Sequence, residues 1–189
     1  MVTAGRTSPP EAYGDSRLWA DDVDAIISTL GLDHPVLCGW SYGGIVTADD
    51  VQAYGDSRIA GTHWVGAVCR LGQPLVEADG LGADCLTVTP GLFSERVDES
   101  VSVLERLLRL CTHAAPSPED LYGFLGFNVS VPPSVCRGLL SRQFNHDAVV
   151  ARMRKPMWLS YGAEDRIVRL RMGQQIAALA PHATLRASI

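Results

Sequence analysis

At 189 residues, with 47% apolar and 20% charged side chains, the chain has room for one domain with a sizeable core, and not for two large ones. A formal net charge of −5 argues against a nucleic-acid binder, which carries a basic excess or stripe. No apolar run approaches the ~20 residues needed to cross a bilayer, and the opening stretch, MVTAGRTSPPEAYGDSR, contains no apolar core of a signal peptide. The five cysteines (Cys38, Cys69, Cys85, Cys111, Cys136) are widely spaced, with no C-x-x-C pair and no adjacent histidine pattern. Neither a disulfide framework nor a metal site is expected, and a reducing cytoplasm fits best. Cys38 and Cys69 lie in or beside apolar runs and read as small buried hydrophobes.

In chain order, residues 1–15 read as a Pro/Gly-rich loop. Ser16 is placed to cap a helix to about Leu30, with Trp19, Val23, Ile26, Ile27 and Leu30 on one face and Gly31 in the left-handed position that ends it. The apolar run Val36–Trp40 has the pattern of a strand buried on both faces. Helical character resumes from Gly43 to about Tyr54 and stops at Gly55, and a second strand is expected from about Gly61 to Cys69. An amphipathic helix near residues 99–111 follows, then shorter helical pieces near 118–126, 133–143 and 145–154. Met157–Tyr161 forms a third strand, about 169–180 a helix, and Ala183 opens a fourth strand. Strand–helix–strand alternation at both ends implies a parallel sheet flanked by helices, with the middle inserted upon it. The hexapeptide AYGDSR, at 12–17 and 53–58, reads as turn chemistry rather than a repeat unit. The basic run Arg152–Lys155 reads as a solvated helix end.

Gly39-Trp40-Ser41-Tyr42-Gly43, followed by Gly44, fits G-x-S-x-G between an apolar strand and a helix. Such a turn passes from strand to helix within about one residue. The serine is held in a strained conformation with its hydroxyl above the sheet, and the glycines let backbone approach backbone. Asp165 lies just past the end of a later strand. That is the same end of a parallel sheet as Ser41, and the end where ligands collect.

The GWSYGG segment, with the preceding LWADDVDAIISTLGLDHPVLC and the downstream YGAEDRIV, resembles the α/β-hydrolase superfamily over nearly the whole chain, most weakly across 70–150. The resemblance implies a partial α/β-hydrolase fold. Core segments would lie at 1–69 and 151–189, with a helical cap inserted at 70–150. It further implies a serine hydrolase in which Ser41 is the nucleophile, Asp165 the acid of a Ser-Asp-His triad and the Tyr42 backbone N–H an oxyanion donor, with Gly39, Gly43 and Gly44 as the elbow glycines. No metal and no cofactor are implied. The partner is a small-molecule substrate, with neither nucleic acid nor membrane. Glu164 would face solvent, and Phe124, Phe127 and Trp64 would line an acyl pocket or serve as plain core.

The family places its histidine after the acid, and only His182 follows Asp165. It precedes the last strand and so falls at the wrong end of the sheet. His34, His63, His113 and His146 also sit away from the elbow. The resemblance therefore implies a triad histidine beyond Ile189. It implies, too, a chain short at its front, where Gly5–Ser8 looks like an abbreviated oxyanion loop and no His-Gly pair exists. The expectation is an ester-type hydrolase, inactive or nearly so as this chain. Alternatives are a non-catalytic binding protein of the same fold, or a haloperoxidase-like or C–C hydrolase activity in a complete form. Without the strands that precede it in the family, Val36–Trp40 is expected at an unpaired edge that favours self-association.

Overall fold

The computed structural model describes residues 9–72 and 80–188, so Gly5–Ser8 lie outside the described residues. After a short 3-10 turn (Pro10–Gly14), the order is α1 (Ser16–Thr29), β1 (Val36–Trp40), α2 (Gly43–Tyr54), β2 (Gly61–Val65) and β3 (Arg70–Leu71). Then come α3 (Ala83–Val88), α4 (Val97–Leu110), α5 (Pro118–Val129), α6 (Pro133–Leu140) and β4 (Phe144–Asn145). The chain continues through α7 (Asp147–Arg152), β5 (Met157–Gly162), α8 (Leu170–Leu179) and β6 (Thr184–Ser188). Strands β1-β2-β5-β6 form one parallel sheet in that order, and β3 pairs antiparallel with β4.

Local chemistry explains most boundaries. Asp15 rather than Ser16 caps α1, its carboxylate accepting the Arg17 amide at 2.8 Å, while the Ser16 hydroxyl accepts from Arg142 instead. Gly31 and Gly55 adopt φ of 59° and 74° where α1 and α2 stop, a conformation costly for any residue with a Cβ. The second strand ends at Val65, short of Cys69, because Gly66 takes φ 48° and turns the chain away. Both AYGDSR copies lie at helix boundaries, as their turn chemistry suggests.

Register places the residues of the sheet on two unlike faces. Trp64, Met157, Leu159 and Tyr161 point into a core built with Ile45 and Ala48 of α2, Val150 of α7, and Met172 and Ile176 of α8. Val36, Cys38, Trp40, Trp158 and Arg186 share the opposite face and are exposed, Trp40 at 65% and Trp158 at 44%. The expectation of a first strand buried on both faces is therefore corrected, and so is that of a buried Cys38. Among the described residues the helices cover one face only, and β1 forms an edge of the sheet.

Helix α2 has little amphipathic pattern because it is enclosed on several sides, and it carries Asp49 and Asp50 into the interior. Asp50 pairs with Arg58, which also reaches Asp24 at 3.2 Å. Burial pushes the Asp50 carboxyl up to about 6, with Arg58 offsetting only part of the effect. A carboxyl whose folded value is raised supports the fold in its protonated form. That support is complete below the unfolded value near 3.8 and is lost as pH rises through about 6. Relative to the parent, Asp50→Asn should thus gain stability between pH 4 and pH 7, by on the order of 3 kcal/mol. Chemical denaturation of both proteins across that range measures the gain, and a difference independent of pH refutes the assignment.

Candidate active site

The turn between β1 and α2 is tightly constrained. Ser41 takes φ 51°, one of two non-glycine residues with positive φ among the described residues, and Tyr42 already has helical angles. Two hydrogen bonds hold Ser41 there: its amide donates to the Val65 carbonyl (3.1 Å), and its carbonyl accepts the Val68 amide (3.0 Å). A Cβ on Gly39 would lie 2.6 Å from the Gly43 carbonyl oxygen, and one on Gly44 would lie 2.7 Å from both Ala67 Cβ and the Val68 carbonyl oxygen. Gly39 and Gly44 are thus required by close backbone approach. Gly43 has open space about it.

Asp165 stands just past β5, where Oδ1 accepts the Ile167 and Val168 amides at 2.8 and 2.9 Å. Its other oxygen lies 3.4 Å from where a Cβ on Gly66 would be. The 65–68 segment therefore bonds to Ser41 and, at Gly66, leaves the space beside the Asp165 carboxylate that a side chain would fill. Tyr161 fastens that segment from beneath, its buried hydroxyl donating to the Ala67 carbonyl at 2.7 Å. Residues 80–82 tie the following stretch in place through Leu81 opposite Val168 and the Gly82 amide on the Ile167 carbonyl (2.9 Å). A cleft of about 500 Å³ opens here, lined by Trp40, Gly66, His113, Glu164, Asp165 and Ser188.

Four of the histidines lie where their sequence positions suggest. His113, expected away from the elbow, instead lines the cleft with Trp40 and Asp165, because the segment after α4 returns over the ends of β1 and β5. His182 lines a cavity with Val36, Gly61 and Thr184, at the start of the strands and opposite Ser41 and Asp165. His63 is half-buried, its Nε2 at 2.9 Å from Ser160 Oγ, and His34 in its turn contacts Asp33. His113 is exposed, 4.0 Å from Glu164, and His146 is buried with Nε2 at 3.0 Å from Asp49 Oδ1. Among the described residues, none of the five is hydrogen-bonded to Ser41. Burial pushes the Cys69 thiol up to about 12, so this cysteine, next to the 65–68 segment, is not a competing nucleophile.

Trp64 is fully buried in the core beneath the sheet, and Phe124 and Phe127 are exposed on α5; none of the three lines the cleft. Sequence reading missed a buried polar cluster directly behind the elbow. The Arg142 guanidinium donates to Asp49 Oδ2 (2.9 Å), Ser16 Oγ (2.7 Å) and Tyr42 Oη (3.0 Å), and Tyr42 Oη donates to the Leu139 carbonyl (3.2 Å). Its members are scattered along the chain, and no local pattern links them.

The φ of Ser41 generates a measurable expectation. Ser41→Gly should stabilise the chain by about 1 kcal/mol relative to Ser41→Ala, because only glycine relieves the left-handed backbone. Equal unfolding midpoints for the two variants would show that the turn stores no strain.

No protein-family model matches the chain, and no curated protein matches it either. Solved structures do. An esterase from Rhodococcus sp. ECU1013 is 28% identical, with a TM-score of 0.86 over 96% of this chain and 66% of its own. A Burkholderia cenocepacia protein described as an aryl esterase is 28% identical, with a TM-score of 0.88 over 97% and 66%. A bromoperoxidase from Bacillus anthracis, at 18% identity, shares the fold with a TM-score of 0.79 over 96% and 68%. The chain thus spans 66% of the length of each of the two esterase structures. Their likeness, with the parallel sheet and its helices, makes this chain a partial α/β-hydrolase fold and a member of the α/β-hydrolase superfamily.

Proposed function

We propose that the site is that of a serine hydrolase acting on an ester-like small molecule through an acyl-enzyme. The observation that carries this reading is Ser41, a strained non-glycine residue placed where β1 turns into α2, at the same end of the sheet as the Asp165 carboxylate. Strain of this kind persists where the surrounding structure over-determines it, and it concentrates at functional positions. In the proposed reaction Ser41 Oγ bonds to the substrate carbonyl carbon while a base takes its proton. The Tyr42 N–H, at the start of α2, meets the negative charge that develops on the carbonyl oxygen. The alkoxide then leaves with the proton, and water releases the acid from Ser41. Asp165 orients the base. Residues 70–150 act as a cap over the cleft, and five free cysteines suit a reducing cytoplasm.

None of the five histidines is hydrogen-bonded to Ser41 among the described residues, and His113, which lines the cleft, is exposed and lies 4.0 Å from Glu164. We therefore assign the base to none of them and expect little or no ester turnover from the chain by itself. In a different serine hydrolase, loss of the base lowers kcat by about 10⁶. Imidazole added in solution can enter the cleft beside Asp165 and stand in for the missing group. The expected result is p-nitrophenyl acetate hydrolysis that rises with imidazole above imidazole's own rate, is lost in Ser41→Ala and is lowered in Asp165→Asn. Imidazole-dependent rates identical in the parent and Ser41→Ala would sink the assignment of Ser41.

The edge position of β1 supports a second property, self-association. Val36 and Trp40 expose apolar surface beside unpaired backbone groups, the arrangement that templates strand pairing. Val36→Lys/Cys38→Lys should sediment as a monomer at concentrations where the parent associates. A parent that stays monomeric at all accessible concentrations rules the property out.

A further inference from the structure

A guanidinium with its side chain only 3% exposed is an expensive group to place in a core, since a buried ion pair seldom stabilises a fold more than apolar side chains of similar volume. Arg142 is held there by three hydrogen bonds to three separate segments. These are the elbow through Tyr42, the helix after it through Asp49, and the start of α1 through Ser16. The Phe144 ring lies 5.0 Å from the guanidinium carbon. Asp49 is fully enclosed and shares its second oxygen with His146 at 3.0 Å. Tyr42 is gripped in turn: its ring packs between Trp19 (6.0 Å) and Phe144 (6.5 Å), and its hydroxyl accepts from Arg142 while donating to Leu139.

The residue held in this way is the one after Ser41. Fixing the tip of its side chain at the far end of the ring leaves its peptide little freedom to rotate. That peptide carries the N–H placed at the start of α2. We propose that Arg142 is a positioning residue of the site: acting through the Tyr42 hydroxyl and through Asp49, it sets the orientation of the Tyr42 N–H and keeps the turn at Ser41 closed. The inference rests on the hydrolase reading for its catalytic meaning, though not for its geometry. The Tyr42 phenol is pushed up by burial, with Arg142 offsetting part of that, so it stays a neutral donor to Leu139 at physiological pH. An Arg142 guanidinium bonded at once to a neutral phenol and to the Asp49 carboxyl group is an arrangement fixed in one register. An apolar core at the same place would pack without dictating where the Tyr42 peptide points.

Removing Arg142 alone would leave the enclosed Asp49 carboxyl group without its guanidinium partner and destabilise the chain, so the test removes the pair together, as Asp49→Asn/Arg142→Met. The chain is labelled with ¹⁵N-tyrosine, and the Tyr42 amide signal is identified by its loss in Tyr42→Phe. The double variant should move or broaden the Tyr42 signal while the signal of Tyr122, on α5, stays in place. It should also lower the imidazole-supported kcat for p-nitrophenyl acetate by about tenfold or more, with KM within about twofold. Arg142→Lys, which keeps the charge and loses the fork, should fall between the two proteins. A purely structural role would lower the melting temperature and leave the amide signal and kcat of the folded protein unchanged, and that result overturns the proposal. If the parent shows no imidazole-supported turnover, the hydrolase reading falls, and the Tyr42 amide signal still decides whether Arg142 orients that peptide.

Discussion

The reversal of the chain between β1 and α2 is the constraint on which the rest of the structure depends. It is completed in two residues, Ser41 and Tyr42, with Ser41 in a left-handed conformation that its Cβ opposes. Its stability comes from the neighbours: the Val65 carbonyl and Val68 amide grip the Ser41 peptide, and Gly39 and Gly44 let backbone lie against backbone. The 65–68 segment that does the gripping is itself pinned by the Tyr161 hydroxyl. The turn at Ser41 is thus held by a piece of chain anchored from a strand far along the sequence.

Behind the turn lies a second support of different chemistry. In front of Ser41 the packing is glycine against backbone; behind Tyr42 it is a charged network of Arg142, Asp49 and Ser16, roofed by aromatic rings from Tyr13 through Trp19, Tyr42 and Phe144 to His146. Close backbone contact fixes how near the elements come. The charged network fixes which way they face. Both act on the same dipeptide, and both come from segments that meet only in the folded chain.

Much of this was legible in the sequence where the signal is local. The apolar run Val36–Trp40, the glycines of GWSYGG and the stops at Gly31 and Gly55 each act within a few residues, and the observed boundaries follow them. Asp165 could be placed because its strand ends next to it. What could not be read depends on neighbours supplied by other parts of the chain. An apolar β1 suggested burial on both faces, but a strand's own residues do not reveal whether a helix covers each face. Ser16 and Asp15 are both good caps, and the choice between them turned on Arg142, more than a hundred positions away. Asp49 and Asp50 carried no sequence signal of burial, because their cationic partners, Arg142 and Arg58, are not in helical register with them.

The exposed face of the sheet has one further consequence. Val36, Trp40 and Trp158 present to water, among the described residues, a surface with the composition of an interior. Free energy that other proteins gain from burying such a surface remains ungained here until something excludes water from it. A partner that covered this face would link folding to encounter by mass action, so the stability of the fold would become a property of the solution as well as of the sequence. Salts that strengthen apolar burial would then act on that encounter as well as on the core.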